Sequence, residues 1–496
     1  MFKPWHSLLV LLGFFFLLAA VAFVFPEKGV MLGTTTIRFP QLQSLLSQPA
    51  PKKNISEILK AADAAEESEY GQPDEALLDS LLSENDNRDS LNAPRKKIKR
   101  DTSVALITSI QMASSTAMSN FFNALQDLQA NPEQQIRILH YGDSQIEGDR
   151  ISDQLRQKLQ SEFGGSGPGL ISLMPVASSL INRLTVSGAA WDRYTAGTII
   201  DKRAKHKAFG PMIGFARFLP YRTLSDTTTA KTATVQINTT RAGGKEVMNY
   251  QLIKLFYGGA KRKTWCEFWD GPLIIAADSL AAGGTFNVKE FKAGNGSFTH
   301  KLKFRSKDSP DLYAMSLESK YGIMVDNIAL RGSSGTFFHQ MDAAQLRSFY
   351  EYLNVRLIIL QFGGNALPFI QSDTLAHSYA NWMRGQISLI KKLAPQASIL
   401  FVGPADMSVK EGTSYVTHPY LETLRDELKK MCFQTNCAYF DVYDCMGGYN
   451  SMVSWVDEKL ASTDYIHFSP QGARKISSLL HAALINAYKD YTDKLN

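Results

Sequence analysis

Four short motifs in the sequence carry residues that together suit acyl transfer. They are Gly142-Asp143-Ser144, Gly332-Ser333-Ser334-Gly335, Gly363-Gly364-Asn365 and Asp464-Tyr465-Ile466-His467. A serine hydroxyl becomes a good nucleophile when an imidazole removes its proton, and a carboxylate fixes the tautomer of that imidazole. We therefore expect Ser144 to be the nucleophile, His467 the base and Asp464 the partner that orients the base.

The same motifs supply groups for an oxyanion hole, whose donors must be aimed at the developing charge before reaction. We expect these donors to be the backbone N–H groups of Ser144 and Gly335 and the side-chain amide of Asn365. His140 is the nearest rival base, but it lies within a predicted strand, where its side chain is expected to point away from the catalytic face. Each motif alone is weak evidence, and it is their order along the chain that favours a single site.

The segments around the motifs alternate between predicted strands and helices. The strands are Ile136–Tyr141, Val355–Gln361, Ile399–Val402 and Ala438–Val442, and the helices are Thr374–Leu393, Pro419–Met431 and one that starts at Pro470. This alternation predicts a parallel α/β domain over 104–182 and 322–496. Ligands bind at the carboxyl ends of the strands in such sheets, which is where the motifs fall.

Residues 183–321 differ in composition and spacing from the segments on either side and interrupt the α/β pattern. They form short runs rich in β-branched and aromatic residues, separated by Gly, Asn, Asp and Ser. The sequence therefore predicts an inserted all-β module.

The N-terminal hundred residues are expected to anchor and tether the folded part. Residues 7–25 are uncharged and long enough for a helix that crosses the hydrocarbon layer of a membrane. A cleaved signal peptide using Ala20-Val21-Ala22 is the alternative, and we prefer a retained signal anchor over 1–25 because the apolar run continues past that site. Acidic and then basic blocks over 26–103 predict a charged, disordered linker.

Composition excludes several classes of protein. The chain has 496 residues, of which 44% are hydrophobic and 20% charged, so it folds around a core and is not a disulfide scaffold. A net charge of +6 over this length produces too weak an electrostatic field to indicate nucleic-acid binding. Four cysteines permit a bridge, with Cys432 and Cys437 the nearest pair and Cys445 close by, or equally well reduced core thiols. No spacing indicates a metal site, and we expect no cofactor.

The chain resembles the SGNH or GDSL hydrolase superfamily in its four motifs. HYGDSQ at 140–145 is similar to the first block of that superfamily, GSSG at 332–335 to its second, GGN at 363–365 to its third and DYIH at 464–467 to its fifth. The resemblance implies a flavodoxin-like three-layer domain in which Ser144, Asp464 and His467 are catalytic. It also implies that Gly335, or alternatively Gly332, completes the oxyanion hole with Asn365.

Two residues depart from the superfamily pattern. Gln145 stands where GDSL lipases have leucine, which argues against a plain lipase. Ala366 stands where the third block commonly has aspartate, and this removes a carboxylate without removing Asn365.

A narrower similarity links the chain to bacterial peptidoglycan O-acetylesterases. It lies in FGGSGPGL at 163–170, VGPADMS at 402–408 and MGGYNSMVSW at 446–455. This resemblance implies that 183–321 is a β-sandwich like a carbohydrate-binding module. Trp191, Trp265 and Trp269 are then candidate sugar-stacking residues, with ordinary core packing as the equal alternative.

Together these patterns predict a serine esterase of the cell envelope that removes O-acetyl groups from a polysaccharide, peptidoglycan in the first instance. Its catalytic domain is expected in the periplasm or envelope, anchored to the inner membrane or exported in soluble form if the signal is cleaved. An O-acetyltransferase served by a membrane-bound acyl donor is the first alternative, because a sugar hydroxyl can intercept the same acyl-enzyme. A non-catalytic glycan-binding protein on the same fold is the second.

Overall fold

The computed structural model describes residues 4–25, 30–32, 35–37, 52–67, 100–177, 179, 181–197, 199–221, 229–240, 244–293, 298–412 and 414–495. The helices are α1 (Pro4–Val24), α2 (Ser56–Glu67), α3 (Thr102–Ala105), α4 (Ser119–Ala130), α5 (Ser152–Phe163), α6 (Gly244–Val247), α7 (Ala343–Tyr352), α8 (Asp373–Leu393), α9 (Leu421–Gln434), α10 (Val442–Met446), α11 (Ser451–Asp457) and α12 (Pro470–Leu495). The strands of the N-terminal third are β1 (Val30–Leu32), β2 (Thr35–Ile37), β3 (Ile110–Gln111), β4 (Gln135–Gly142) and β5 (Gly169–Ile171). Those that follow are β6 (Asn182–Gly188), β7 (Asp192–Thr195), β8 (Gly214–Arg217), β9 (Lys231–Thr239), β10 (Leu252–Gly258), β11 (Thr264–Asp270), β12 (Leu273–Leu280), β13 (Asn287–Lys292), β14 (Thr299–Ser306), β15 (Asp311–Glu318), β16 (Gly322–Ala329), β17 (Val355–Gln361), β18 (Ser398–Val402), β19 (Ser408–Glu411), β20 (Ser414–Thr417) and β21 (Ala438–Phe440).

A six-stranded sheet in the order β16-β4-β17-β18-β21-β3 forms the centre of the α/β part. Its first five strands are parallel, and β3 pairs antiparallel with β21 at the edge. The strands are buried on both faces, as expected of a parallel sheet covered by helices. The predicted parallel α/β fold is therefore confirmed.

Alternate residues of the central strands enter two different cores. Ile138 and Ile359 pack with α4, α5 and α12 on one face, while Leu139 and Ile358 pack with α7, α8 and α9 on the other. The result is three layers, helices on either side of the sheet. The last helix begins where the sequence predicts, and Ser469 Oγ accepts a hydrogen bond from the Gly472 N–H at 3.2 Å.

Between β5 and β16 the chain forms two antiparallel sheets. One has the order β12-β11-β14-β9-β6 and the other β13-β10-β15-β8-β7, with β5 also paired to β15. The apolar inner faces of these sheets share a core. The second sheet also packs on α7, where Phe349 lies 5.8 Å from Phe256 and 5.7 Å from Tyr313 between ring centroids. That this region is a separate carbohydrate-binding domain bounded at 183 and 321 stays a prediction.

Part of the predicted disordered linker is instead an ordered helix, and this corrects the sequence interpretation. In and just before α2, Ile55, Ile58, Ala62 and Ala65 are buried at helical spacing in the core that α12 also lines. Polar contacts fix it further, since Lys475 ion-pairs with Asp63. The small alanines made this stripe inconspicuous beside the acidic residues of the same segment. The leucine-rich stretch 74–82 and most of the basic cluster at 95–100 lie outside the described residues.

Helix α1 is isolated from both cores. Its residues Trp5–Val24 form the one helix in the described part of the chain that is long and apolar enough to cross a membrane. A signal sequence near the N-terminus meets the same criteria. The finding is consistent with either interpretation of this segment.

Candidate active site

Ser144 is the second residue after the carboxyl end of β4, which lies between β16 and β17 in the parallel sheet. It begins a short 3-10 turn, Ser144–Asp149, so its N–H has no acceptor within that turn. Gly142 makes the tight exit from the strand possible, because a Cβ there would lie 2.9 Å from the Ile146 side chain and 3.2 Å from the Gln361 carbonyl oxygen. Helix α5 follows only at Ser152, after a kink at Glu147 and Gly148.

The structure brings the three predicted catalytic side chains into one hydrogen-bonded chain. Ser144 Oγ lies 2.8 Å from His467 Nε2, and His467 Nδ1 lies 2.7 Å from Asp464 Oδ2. With the Nδ1 proton donated to the carboxylate, Nε2 is free to accept the serine proton. The imidazole is about one-third exposed, so a substrate in solution can reach it.

Asp464 shapes the loop as well as the histidine tautomer. Its Oδ1 accepts from the backbone N–H groups of Ile466 at 2.9 Å and His467 at 3.0 Å, while Oδ2 is left for the ring. These hydrogen bonds and the imidazole lower the pKa of Asp464, although burial acts in the opposite direction as the largest single cause. Tyr465 between them adopts φ 59°, a left-handed conformation, and its ring stacks on Tyr415 at 3.8 Å.

Gln145 connects the serine turn to the histidine loop, a role that sequence reasoning missed. Its Nε2 donates to the Ile466 carbonyl oxygen at 2.7 Å, and its Oε1 accepts from the Phe468 N–H at 3.4 Å. The leucine of GDSL lipases has neither polar group. Gln145 therefore holds the residues on both sides of His467, and its position next to Ser144 was the only sequence signal for this role.

Asp143 is the second residue that sequence reasoning left without a role. Its carboxylate is buried and accepts from the Gln145 N–H at 2.9 Å and from Asn365 Nδ2 at 3.0 Å. Burial raises the pKa of Asp143 to about 6, against the opposing effect of these hydrogen bonds. Asn365 Nδ2 also donates to the Ser333 carbonyl oxygen at 3.3 Å. In this arrangement both amide protons of Asn365 have protein acceptors, and donation to an oxyanion stays a prediction.

The two candidate glycines of the second motif differ in their surroundings. Gly335 is buried with its N–H donated to Ser333 Oγ at 3.1 Å, and Phe362 fills the space where its Cβ would lie. Gly332 is exposed, has φ 74° and has open space beside its Cα. The N–H of Gly335 therefore already has an acceptor, and which of the two glycines serves the oxyanion hole stays a prediction.

His140 has no access to the reacting groups. It is fully buried, with Nδ1 2.9 Å from Ser152 Oγ and Nε2 3.0 Å from Gln361 Oε1. Burial lowers the pKa of His140 to about 4, so it stays neutral between these partners.

The three candidate stacking tryptophans differ in exposure. Trp265 is 43% exposed on β11, whereas Lys301 Nζ lies 3.9 Å from the ring centroid of Trp269. Trp191 packs edge-on against Phe218 at 5.9 Å between ring centroids. Trp265 is therefore the most exposed of the three, and sugar stacking by these residues stays a prediction.

The cysteines are all buried and unbridged in the structure. Cys432 and Cys437, the nearest pair, are held by a hydrogen bond of 2.8 Å between the Cys437 N–H and the Cys432 carbonyl oxygen. This agrees with the alternative of reduced core thiols.

Comparison with known sequences gives one family match. Residues 278–475 match the sequence model of the GDSL-like Lipase/Acylhydrolase family. The matched range contains the second, third and fifth blocks, while Ser144 lies before it and reaches the site through the fold. The predicted resemblance to GDSL hydrolases, and the assignment to the esterases of that type, are confirmed. No curated protein sequence matched the chain.

Comparison with solved structures supports the fold. A structure titled "Peptidoglycan O-acetylesterase in action, 5 min" superposes with a TM-score of 0.60 at 20% identity, covering 77% of this chain and 99% of the other. A putative GDSL-like lipase from Parabacteroides merdae has a TM-score of 0.24 at 14% identity, over 33% of this chain and 74% of its own. A carbohydrate esterase family 2 enzyme from Corynascus thermopiles has a TM-score of 0.25 at 11% identity, over 53% of this chain and 94% of its own. Only the first similarity is close enough to inform the fold.

Proposed function

We propose that this chain, an esterase of the GDSL type, removes O-acetyl groups from a polysaccharide and that peptidoglycan is that polysaccharide. The observation that carries the proposal is the continuous chain of hydrogen bonds from Ser144 through His467 to Asp464. The structural similarity to a peptidoglycan O-acetylesterase supports the choice of substrate.

The proposed reaction proceeds through an acyl-serine. Ser144 Oγ attacks the acetyl carbonyl carbon while His467 Nε2 takes the hydroxyl proton, and the carbonyl oxygen becomes an oxyanion. His467 then returns the proton to the sugar oxygen as the ester bond breaks. A water molecule, activated by the same imidazole, attacks the acyl-serine and releases acetate. Asp464 stabilises the imidazolium in each half of the cycle.

Oxyanion stabilisation in this proposal comes from the Ser144 N–H, a glycine of the second motif and Asn365. Gly335 is the first expectation and Gly332 the alternative, and the Gly335 N–H would have to leave Ser333 Oγ in order to donate to the oxyanion. Rotation of the Asn365 amide away from Ser333 would free one proton for the oxyanion. One such donor typically contributes about 3 to 4 kcal/mol to transition-state stabilisation.

The test is release of acetate from O-acetylated peptidoglycan by the full-length protein and by Ser144→Ala. The variant is expected to lose all detectable turnover above background, because no other hydroxyl is paired to His467 in the described residues. An unchanged thermal unfolding midpoint serves as the control for folding. Acetylated xylan and a p-nitrophenyl ester, assayed alongside, separate substrate preference from general esterase activity. Undiminished release by Ser144→Ala contradicts the proposal.

A second candidate function is O-acetyl transfer, which the apolar helix α1 favours because it would hold the site beside a membrane-bound acyl donor. The acyl-serine is the same, and a sugar hydroxyl replaces water in the second step. Incubation with a pre-acetylated donor distinguishes the two, since an esterase yields free acetate and a transferase yields acetylated glycan.

The proposed location follows from the substrate and from α1. We place the catalytic part in the periplasm or envelope, attached to the inner membrane through α1, or exported in soluble form where the segment is cleaved.

A further inference from the structure

A cleft of about 380 Å³ lies beside the serine turn, between the α/β sheet and the antiparallel sheets. One wall is the end of the serine turn with the segment that follows β16, which includes Glu147 and Ser333. The rest of the lining comes from β6, β7 and the residues around them, including Leu184 and Arg193. The cleft therefore adjoins the end of the turn that Ser144 begins, and both parts of the molecule line it.

The charged side chains that line this cleft are almost all paired with one another. Arg331 Nε donates to both carboxylate oxygens of Glu147, at 2.9 and 3.0 Å. Arg156 donates to Asp149 through two nitrogens, at 2.7 and 2.9 Å. Each of these two ion pairs is neutral overall. Arg193 is therefore the remaining charged group of the lining.

Arg193 has no acceptor for its guanidinium among the residues that the structure describes. Its backbone carbonyl accepts from Arg203, whereas that neighbour's own guanidinium pairs with Asp201 and Asp192. Burial lowers the pKa of Arg193, with no carboxylate to oppose the shift. A guanidinium remains charged at neutral pH even so, and desolvating it without a partner is costly. A cation kept in this state at the edge of a cleft is suited to an anionic ligand.

We propose that the cleft binds the saccharide of the substrate and that Arg193 binds a carboxylate on it. The inference rests on the proposed function and adds the ligand class, an acidic sugar. A planar guanidinium can hold a carboxylate through two parallel hydrogen bonds. Leu184 and Met212 offer apolar surface to the C–H faces of a sugar ring, and Ser172 and Asn182 offer polar groups to its hydroxyls.

The experiment uses the full-length protein with peptide-free O-acetylated peptidoglycan fragments that carry either the free muramoyl carboxylate or its amide. Hydrogen bonds to charged groups are strong enough that we expect kcat/KM for the acidic fragment to exceed that for the amide by about tenfold or more. In Arg193→Gln the ratio is expected to approach one, chiefly through a higher KM for the acidic fragment. Arg193→Lys keeps the positive charge but not the pair of parallel donors of the guanidinium, so it should retain part of the preference for the acidic fragment.

Lys202→Gln is the matched control, because it removes one positive charge from an exposed site in the same region. It should keep the full preference for the acidic fragment. Equal rates on the two fragments by the wild-type protein, or an unchanged ratio in Arg193→Gln, overturn the inference even when deacetylation itself is observed. Absence of acetate release from every fragment instead counts against the proposed function. If Arg193→Gln fails to fold, Arg193→Lys supplies the variant comparison, and equal wild-type rates on the two fragments still overturn the inference.

Discussion

Gln145 connects the two parts of the proposed site, the turn that carries Ser144 and the loop that carries His467. Its amide contacts the backbone on either side of His467, so it fixes the imidazole without touching it. Catalytic geometry is sensitive to displacements of about 1 Å, which can cost about a hundredfold in rate.

We expect Gln145→Leu to lower kcat by about tenfold to a hundredfold while KM stays near the wild-type value. Leucine is similar in size and cannot make either hydrogen bond. Steady-state kinetics on acetylated glycan measure the effect, and an unfolding curve in urea shows whether stability changed. A normal kcat in a folded Gln145→Leu protein would remove Gln145 from the mechanism.

The raised pKa of Asp143 leads to a prediction about how the stability of the protein depends on pH. Its pKa is about 6 in the folded protein, while an unfolded aspartate titrates near about 4. Between about pH 4 and about pH 6 the folded state therefore binds more protons than the unfolded state. The contribution of Asp143 to stability falls as the pH rises through this range. The loss is about 3 kcal/mol once the pH is above both values.

Asp143→Asn removes this titration. The unfolding free energy of the variant, minus that of the wild type, should rise by about 3 kcal/mol between about pH 3.5 and about pH 7.5. Urea denaturation at several pH values provides the measurement, and the subtraction cancels the titration of other groups. A difference that does not vary with pH would show that Asp143 titrates normally.

Sequence reasoning predicted a catalytic role for Ser144, Asp464 and His467 because each stands in a short motif whose order along the chain is informative, and the structure brings the three side chains together. It could not assign Gln145 or Asp143, because their roles depend on contacts with residues more than 200 positions away. The hydrogen bond that the Gly335 N–H donates to Ser333 Oγ was likewise not foreseen. Spacing in the sequence does not encode that bond.

At the scale of elements, α2 is the least expected part of the fold. It packs beside α12, the helix that directly follows the histidine loop, and Ser454 Oγ donates to the Lys53 carbonyl oxygen at 2.7 Å. In addition, Lys158 Nζ donates to the Ala65 carbonyl oxygen at 2.8 Å. A segment that the charge pattern assigns to a linker thus belongs to the folded body.

Two alanines of α2 allow a matched test of this packing. Ala62 is fully buried and Ala64 is exposed on the same helix. We expect Ala62→Asp to destabilise the protein by about 3 kcal/mol, because it places an unpaired charge in an apolar core. Ala64→Asp should change stability by less than about 0.5 kcal/mol. Equal denaturation midpoints for the two variants would mean that α2 does not dock in solution.

The strands and helices of the α/β sheet were predictable because their apolar runs are long and regular. The helix α2 was not, because alanine contributes little to a hydrophobic pattern and the acidic residues between the buried positions dominate it. The turn after Ser144 could not be predicted either, because Gly148 at φ 70° interrupts its helical geometry. Local backbone geometry of this kind is weakly specified by residue type.

At the scale of the whole molecule, α1 leads to a prediction about where the protein is located. We expect the full-length protein to remain in the membrane fraction after a high-salt wash, because about 20 apolar residues bind a bilayer by a hydrophobic rather than an electrostatic interaction. A protein lacking residues 1–25 should be recovered in the soluble fraction. The intact mass of the mature protein provides the second measurement. A mass that corresponds to cleavage after Ala22 would replace the anchor with a signal peptide.

The docking of α2 also limits how far an anchored catalytic body can travel. A disordered tether over 26–103 could extend to about 270 Å, whereas residues 25–51, which separate α1 from the docked segment, span at most about 90 Å. With α1 embedded in a bilayer, the cleft would then sweep only a shallow zone above the lipid surface. Polymer strands beyond this zone would escape modification, so newly assembled material near the membrane would be processed first.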